Sequence, residues 1–178
     1  MARQIALLRG INLGSKRRVA MGDLRQLLAQ LGYEDVRTLL QSGNVVLTAA
    51  GRPAELQRVL EREIASKLGV ETQVIVRTRD ELADVVERNP FEAIATDPKR
   101  YQVSFLSGKL SAKAARELAA ADLAPEQVAV SGREIYAWHP DGIQRSPLAR
   151  LLSDQRLGVS ATARNWNTVT KLLALADE

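Results

Sequence analysis

Residues 36–48 read Val-Arg-Thr-Leu-Leu-Gln-Ser-Gly-Asn-Val-Val-Leu-Thr, and this stretch predicts a β-hairpin. Residues 36–40 and 45–48 are rich in aliphatic and β-branched side chains, which favour strands. The turn between them, residues 41–44, contains Gly43 and Asn44, two residue types that tolerate a positive φ. The hairpin therefore places two antiparallel strands within the first half of the chain.

A helix and a strand are predicted on each side of this hairpin. Residues 5–8 form the short apolar run of a buried strand, and apolar residues then recur at helical spacing over 21–31. After the hairpin, a helix over 53–68 and a strand over 73–77 complete the order β-α-β-β-α-β. Thr-Arg-Asp-Glu at 78–81 is a capping box that begins a further helix, which ends before Pro90.

The second half of the chain repeats this order. Ser111 and Ser146 each stand where a helix begins, and the helix opened by Pro147 is predicted to reach Leu157 before Gly158. The sequence thus predicts an α+β protein of two tandem ferredoxin-like β-α-β-β-α-β units, a structural duplication, each followed by an extra helix. The predicted domains are 1–90 and 91–178. The strands of the second unit are predicted at 102–106, 127–130, 135–138 and 159–162.

Composition excludes several classes of site. The chain has 178 residues, no Cys and one His, so it offers no disulfide, no thiolate and no two-His metal motif. No metal and no cofactor are expected. No apolar run reaches the roughly 18–20 residues of a membrane span, and the N-terminal apolar stretch is too short for a signal peptide. A cytoplasmic protein without a membrane partner is therefore expected.

The positive charge is concentrated at the N-terminus. The formal net charge is +4, and the first 22 residues contain no acid. The overall basic character therefore comes largely from one stretch rather than from the whole surface. The five cations of that stretch are Arg3, Arg9, Lys16, Arg17 and Arg18.

The predicted topology brings loop 9–18 and hairpin 41–44 to one edge of the first sheet. A crossover helix makes strands 1 and 2 parallel, so strand 1 ends where the hairpin turns. Small polar groups, glycine amides and positive charge suit an anionic oxygen ligand such as phosphate or carboxylate. The alternative is that the glycines only make turns and the cations only solvate the surface. The candidate ligand-binding residues here are Arg9, Asn12, Ser15, Lys16, Arg17, Gln41, Ser42 and Asn44.

A second polar segment lies at 162–168, which reads Thr-Ala-Arg-Asn-Trp-Asn-Thr at the start of the terminal helix. Arg164, Asn165 and Asn167 could serve an anion at a helix N-terminus. The alternative is structural, with Asn165 as a helix cap and Trp166 as a buried anchor.

Other chemistry is not supported by the motifs. His139 lies in Trp-His-Pro-Asp-Gly, which predicts a surface turn, and Ser146 before Pro147 is interpreted as a cap rather than a nucleophile. Gly10 and Gly14 are one residue too close for a phosphate loop, and no Lys-Ser/Thr pair follows. The catalytic residues, if there are any, stay unknown.

Three segments in this order resemble a known family. Residues 6–14 (Ala-Leu-Leu-Arg-Gly-Ile-Asn-Leu-Gly), 40–46 (Leu-Gln-Ser-Gly-Asn-Val-Val) and 162–169 (Thr-Ala-Arg-Asn-Trp-Asn-Thr-Val) look like signatures of the bacterial family called domain of unknown function 1697. The resemblance also takes in 135–138 and 145–147, so it runs nearly end to end. It implies a cytoplasmic α+β protein with no established reaction, so it supplies no catalytic residue.

The first functional hypothesis is therefore binding of a small anionic or nucleotide-like ligand at loop 9–18 and hairpin 41–44. One alternative is sequence-independent binding to a nucleic-acid backbone through the N-terminal cations. Others are an enzyme of unassigned class that uses neither Cys nor His, and an assembly role in which apolar sheet faces form a dimer. The sequence leaves the choice between monomer and homodimer open.

Overall fold

The computed structural model describes all 178 residues, which form two compact units. The first unit comprises Met1–Asp84 and Lys171–Glu178, and the second comprises Val85–Thr170. The division thus falls inside a helix, before the boundary at 90/91 that the sequence predicts. The last eight residues are grouped with the first unit rather than the second. The fold is mixed α+β, with two four-stranded antiparallel sheets and seven helices.

The first unit contains a sheet of order β2-β3-β1-β4 in which every neighbouring pair is antiparallel. Its two central strands, β1 and β3, are buried nearly throughout. Its elements are β1 (Ala2–Leu8), α1 (Met21–Gln30), β2 (Glu34–Leu39), β3 (Asn44–Ala49), α2 (Pro53–Leu68), β4 (Val74–Thr78) and α3 (Arg79–Glu87), the last of which crosses the division.

Aliphatic residues make the core of this unit. One cluster joins alternate residues of β1, such as Ala6 and Leu8, to the inner faces of α1 and α2. Because helix residues four apart share a face, the Leu24–Leu28 pair and the Leu56–Leu60–Ile64 series face this core.

The second unit has a sheet of order β6-β7-β5-β8, again antiparallel throughout. One face of this sheet packs on its helices through residues such as Leu106, Leu118 and Leu148. Its elements are β5 (Tyr101–Leu106), α4 (Ala112–Ala120), β6 (Gln127–Ser131), β7 (Glu134–Trp138), α5 (Pro147–Leu151), α6 (Asp154–Leu157), β8 (Ala161–Asn165) and α7 (Trp166–Ala176), the last of which crosses the division.

Several predicted helix ends are confirmed by their hydrogen bonds. The Ser111 and Ser146 hydroxyls accept from the amides of Ala114 and Ala149, as N-caps do. Thr78 and Glu81 form the reciprocal pair of a capping box, with N–O distances of 2.8 and 3.1 Å. These local signals act within one turn, so they can be read from neighbouring residues alone.

The helix predicted over 147–157 is wrong as a single element, because the structure divides it into α5 and α6. Ser153 adopts an extended conformation between them, and the Asp154 carboxylate accepts from the amide of Ala161 at 3.0 Å. A short polar side chain such as that of Asp154 competes with helical hydrogen bonds when it bonds to another segment. Such a residue is therefore more favourable at a helix end than in a helix interior.

The last strand is also displaced from its predicted position at 159–162. Residues Ala161–Asn165 form β8, in which Thr162 and Arg164 point inward and Ala163 points outward. Arg164 and Asn165 therefore lie at the end of this strand, directly before the terminal helix.

No helix in the chain combines the length and the hydrophobicity required to cross a bilayer.

Candidate functional site

The end of β1 lies against the hairpin between β2 and β3. The amide of Leu8 donates to the carbonyl of Gly43 at 2.8 Å, and the side chain of Asn12 donates to the carbonyl of Gln41 at 2.7 Å. Gly43 has φ +84°, and a Cβ there would lie 2.8 Å from atoms of Leu8 and Ile11. Loop 9–18 and the hairpin are therefore in direct contact, as the parallel arrangement of β1 and β2 requires.

The side chain of Asn12 holds loop 9–18 in its conformation and does not offer an unbonded amide group to a ligand. Its Nδ2 donates to the carbonyls of Val19 and Gln41, and its Oδ1 accepts from the amide of Val19. Its backbone amide donates to the carbonyl of Arg17. Both amide hydrogens of the side chain are thus used within the protein. The structure therefore assigns Asn12 a role in loop conformation.

The hairpin residues are divided between buried and exposed positions. Asn44 is fully buried, and its Nδ2 donates to the carbonyl of Leu39 at 2.8 Å and to the Ser42 hydroxyl at 2.9 Å. Asn44 belongs to β3, and Leu40 rather than Asn44 shares the positive-φ conformation with Gly43. Gln41 is exposed, whereas Ser42 is partly buried. Gln41 is therefore the exposed side chain among these hairpin residues, none of which lines the cleft described next.

The cleft at this edge lies on the β4 side of β1. It has a volume of about 440 Å³ and contains residues that sequence reasoning missed. These come from α2 and from the segment that leads into β4, which the pairing of Leu8 with Val74 brings next to the end of β1. A predicted β1–β4 pairing would have identified them. The cleft is lined by Arg9, Gly10, Arg17, Glu61, Glu71, Thr72 and Gln73.

Two guanidinium groups are held at the mouth of this cleft. Nη1 of Arg9 donates to Oε1 of Gln73 at 2.9 Å. Nη2 of Arg17 donates to the carbonyls of Glu71 and Arg9 at 2.7 and 3.4 Å. The Thr72 hydroxyl donates to the carbonyl of Arg9 and accepts from its amide, so the start of the loop is fixed on the β4 side as well.

The two carboxylates of the cleft differ in role. Oε1 of Glu61 accepts from the amide of Val74 at 2.9 Å, so this carboxylate is hydrogen-bonded to the first residue of β4. Glu71 is exposed, and its backbone carbonyl rather than its side chain holds Arg17.

The other N-terminal cations have separate positions. Ser15 and Lys16 are exposed, and Arg18 donates to the carbonyl of Gly14. Arg3 donates to the carbonyls of Leu175 and Ala176 at the end of α7. Arg3 therefore acts at a helix C-terminus, where a cation stabilises the last carbonyl groups.

The segment 162–168 belongs to the second unit and is largely structural there. Arg164 is 8% exposed, and its Nη1 donates to the Thr162 hydroxyl and to the carbonyl of Ala163. Burial lowers the pKa of Arg164 to about 10. Oδ1 of Asn165 accepts from the amide of Thr168 at 3.0 Å, which confirms the predicted cap. Asn167 lies partly buried in the first turn of α7.

His139 is fully buried, so its prediction as a surface turn residue is wrong. Its Nδ1 lies 2.7 Å from Oε2 of Glu126 and 2.9 Å from Oγ of Ser146. Ser146 also donates to Glu126, which accepts from the amide of Leu148. Burial raises the pKa of the Glu126 carboxyl, but the hydrogen bonds from Ser146, His139 and Leu148 outweigh it, and the net shift is downward.

This cluster does not have the geometry of a catalytic triad. A triad places the serine and the carboxylate on opposite nitrogens of the imidazole. Here both face Nδ1 of His139, while Nε2 is buried without a hydrogen-bond partner. The arrangement joins β7 to the start of α5. No group of three His, Asp or Glu side chains is arranged to hold a metal ion.

Comparison with known proteins identifies the family. The family model described as "Protein of unknown function (DUF1697)" matches residues 1–136. The chain belongs to the DUF1697 family. No curated protein matches it. Among solved structures, this DUF1697 chain is similar to the conserved bacterial protein SP0830 from Streptococcus pneumoniae, with 23% identity, a TM-score of 0.80 and 98% of each chain covered. That likeness concerns the fold.

Proposed function

We propose that the cleft at the end of β1 binds a small anionic ligand through a phosphate or carboxylate group. The observation that supports this is the presence of two guanidinium groups, from Arg9 and Arg17, in one cleft of about 440 Å³. Guanidinium groups suit oxyanions because each combines a permanent positive charge with several N–H donors. The cleft volume is typical of small-molecule sites.

The arginines are ordered before any ligand arrives. Arg17 makes its hydrogen bonds through Nη2, so a ligand would be bound by single N–H donors of Nε or Nη1 rather than by a parallel pair. Arg9 is held by Gln73, which belongs to the same segment before β4 as Glu71. Because less side-chain freedom is lost on binding, such a site binds more tightly than two mobile arginines would.

The charge balance of the cleft favours a small ligand over a nucleic acid. Glu61 and Glu71 line the same cleft as Arg9 and Arg17, so the formal charges of the four side chains cancel. Backbone binding to nucleic acid depends on excess positive charge over a broad surface. A compact oxyanion needs only the local donors, and Arg3 is already occupied at the end of α7.

We also propose that both units are ferredoxin-like and arose by duplication. The strand orders β2-β3-β1-β4 and β6-β7-β5-β8 correspond one to one. Arg77 pairs with Ile5, and Arg164 pairs with Val103, the matching position of the second sheet. The Nη1 of each arginine donates to the carbonyl of the preceding residue, at 3.1 and 2.9 Å.

Two further pairs of contacts support the duplication. Thr78 and Asn165 follow the two arginines, and each caps the next helix by accepting from the amide three residues on. Glu61 and Asp154 each accept from the first amide of the following strand, Val74 or Ala161, at 2.9 and 3.0 Å. Specific side-chain contacts thus recur where the sequence shows no evident repeat.

The equivalent cleft in the second unit has different chemistry. It lies at the end of β5 and is lined by Ser107, Asp154 and Ser160, among others, with no arginine. Ser107 donates its amide to the carbonyl of Ser160 at 2.9 Å. The proposed anion binding is therefore a property of the first unit, and the second serves as an internal control.

Thermal unfolding in phosphate and in chloride at matched ionic strength tests the proposal. We expect phosphate to raise the melting temperature of the wild type, because a ligand at about 100 times its Kd stabilises by about 2.7 kcal/mol. Arg17→Gln should lose this shift, whereas Arg18→Gln, which changes a cation outside the cleft, should keep it. Equal stabilisation of all three proteins, or of none, would contradict the proposal.

A further inference from the structure

The two loops at the end of β1 are longer than their counterparts in the second unit. The connection from β1 to α1 spans residues 9–20, whereas that from β5 to α4 spans 107–111. The hairpin loop spans 40–43 in the first unit and 132–133 in the second. The additional residues of the first unit are thus concentrated at one edge of its sheet.

These longer loops expose two large apolar side chains. Leu13 is 84% exposed and Leu40 is 58% exposed. Leu13 follows Asn12, and Leu40 precedes Gln41, and Asn12 and Gln41 are joined by the 2.7 Å hydrogen bond. The two leucines therefore flank one contact between the loops, and these two exposed side chains are here called the leucine tip.

Backbone strain is concentrated in the same place. Leu40 has φ +61°, Arg17 has φ +56° and Asn12 has φ +55°, and these are three of the four non-glycine residues with positive φ. A leucine residue is unfavourable in that conformation. Because Leu40 is exposed, burial of its side chain does not offset this cost. Backbone strain that is not offset by packing indicates that the strained residue serves a role other than stabilising the fold.

The leucine tip is bordered by positive charge. Lys16, Arg17 and Arg18 follow Leu13 within five residues, and the first acid of the chain is Asp23. The side-chain hydrogen bonds of Arg17 and Arg18 go to backbone carbonyls, which do not neutralise the positive charge.

We propose that the leucine tip docks on the surface of an anionic phospholipid bilayer. The leucines would enter the boundary between headgroups and acyl chains, while Lys16 and Arg18, which do not line the anion cleft, face the lipid phosphates. A bilayer fits better than an acidic peptide because the leucines project from loops, whereas a peptide needs a groove. This inference goes beyond the anion cleft, which lies on the β4 side of β1, whereas the hairpin lies on the β3 side.

Co-sedimentation of the full chain with lipid vesicles tests this proposal. Phosphatidylcholine vesicles that contain phosphatidylglycerol should bind the wild type, and vesicles of pure phosphatidylcholine should bind it much less. The double variant Leu13→Ser/Leu40→Gly should bind the anionic vesicles at least about tenfold more weakly, because it removes most of the apolar surface available for insertion. Glycine accepts the φ of Leu40, so this variant should keep its fold, which circular dichroism checks.

The matched control is Val130→Ser, which removes the apolar side chain that precedes the shorter hairpin of the second unit and is 39% exposed. We expect this variant to bind like the wild type. Absence of wild-type binding to anionic vesicles would overturn the proposal. Binding that survives loss of both leucines would overturn it too, because charge alone would then account for the attraction. Self-association of the wild type that the double variant abolishes, without vesicle binding, would instead assign the tip to a second copy of the chain.

Discussion

Substitution of Gly43 by alanine measures how closely loop 9–18 packs on the hairpin. The φ of +84° opposes any side chain, and the new Cβ would lie 2.8 Å from Leu8 and Ile11. We expect a loss of about 2–5 kcal/mol in unfolding free energy, the sum of the left-handed penalty and the overpacking. Gly10→Ala is the control, because φ is +63° and nothing lies within 4 Å of the added Cβ. Urea denaturation that shows equal losses for both variants would contradict the close packing.

The Glu126 carboxyl predicts a stability change in acid. Its pKa is lowered in the folded protein, because three hydrogen bonds outweigh the effect of burial. The stabilisation is therefore present above the unfolded pKa of about 4.3 and is lost as the pH falls through the folded pKa. Thermal unfolding between neutral and acidic pH should show a smaller loss of stability for Glu126→Gln than for the wild type. If the stability of the two proteins fell equally with pH, the Glu126 carboxylate would not be the source of the acid sensitivity.

The environment of His139 shows why some residues escape sequence reasoning. Its neighbours, Pro140, Asp141 and Gly142, are typical of a surface turn. Its burial comes instead from Glu126 and Ser146, which belong to other segments of the second unit. Contacts between separate segments depend on tertiary packing, which the local pattern does not contain.

At the scale of elements, the caps of α3 and α7 give a matched pair of predictions. Thr78 and Asn165 each accept a hydrogen bond from the amide three residues later, at 3.1 and 3.0 Å. We expect Thr78→Ala and Asn165→Ala each to lower the unfolding free energy by about 1 kcal/mol. Chemical denaturation measures both. An unchanged unfolding free energy for Asn165→Ala would contradict its role as a cap.

Most elements could be predicted because their signals are local. The bounds of α2 follow from Pro53 at its start and Gly69 after its end, and the structure has the same helix. The single helix predicted over 147–157 fails because Asp154 bonds to the start of β8. Helical spacing of apolar residues does not reveal where a polar side chain finds its partner.

At the scale of the whole molecule, topology predicted which loops meet but not where the cleft opens. The contact between loop 9–18 and the hairpin follows from the parallel arrangement of β1 and β2. The cleft depends on β4, which lies next to β1 although some 65 residues separate Leu8 from Val74 in the chain. Only the β1–β4 pairing marks Thr72 and Gln73, because the residues next to them in the sequence do not. Asn12 and Asn44, which the sequence predicts as ligand-binding residues, use their side-chain amides inside the fold.

A titration of the ¹⁵N-labelled protein with inorganic phosphate, followed by amide chemical shifts at constant ionic strength, tests the proposed anion cleft most directly. We expect saturable shifts at the amides of Arg9, Gly10 and Gln73, which line the cleft, and their loss in Arg17→Gln. The amides of Ser107 and Ser160 in the second unit's cleft should stay unchanged. No saturable shift at the first cleft, or shifts of equal size at both, would contradict the proposed anion site.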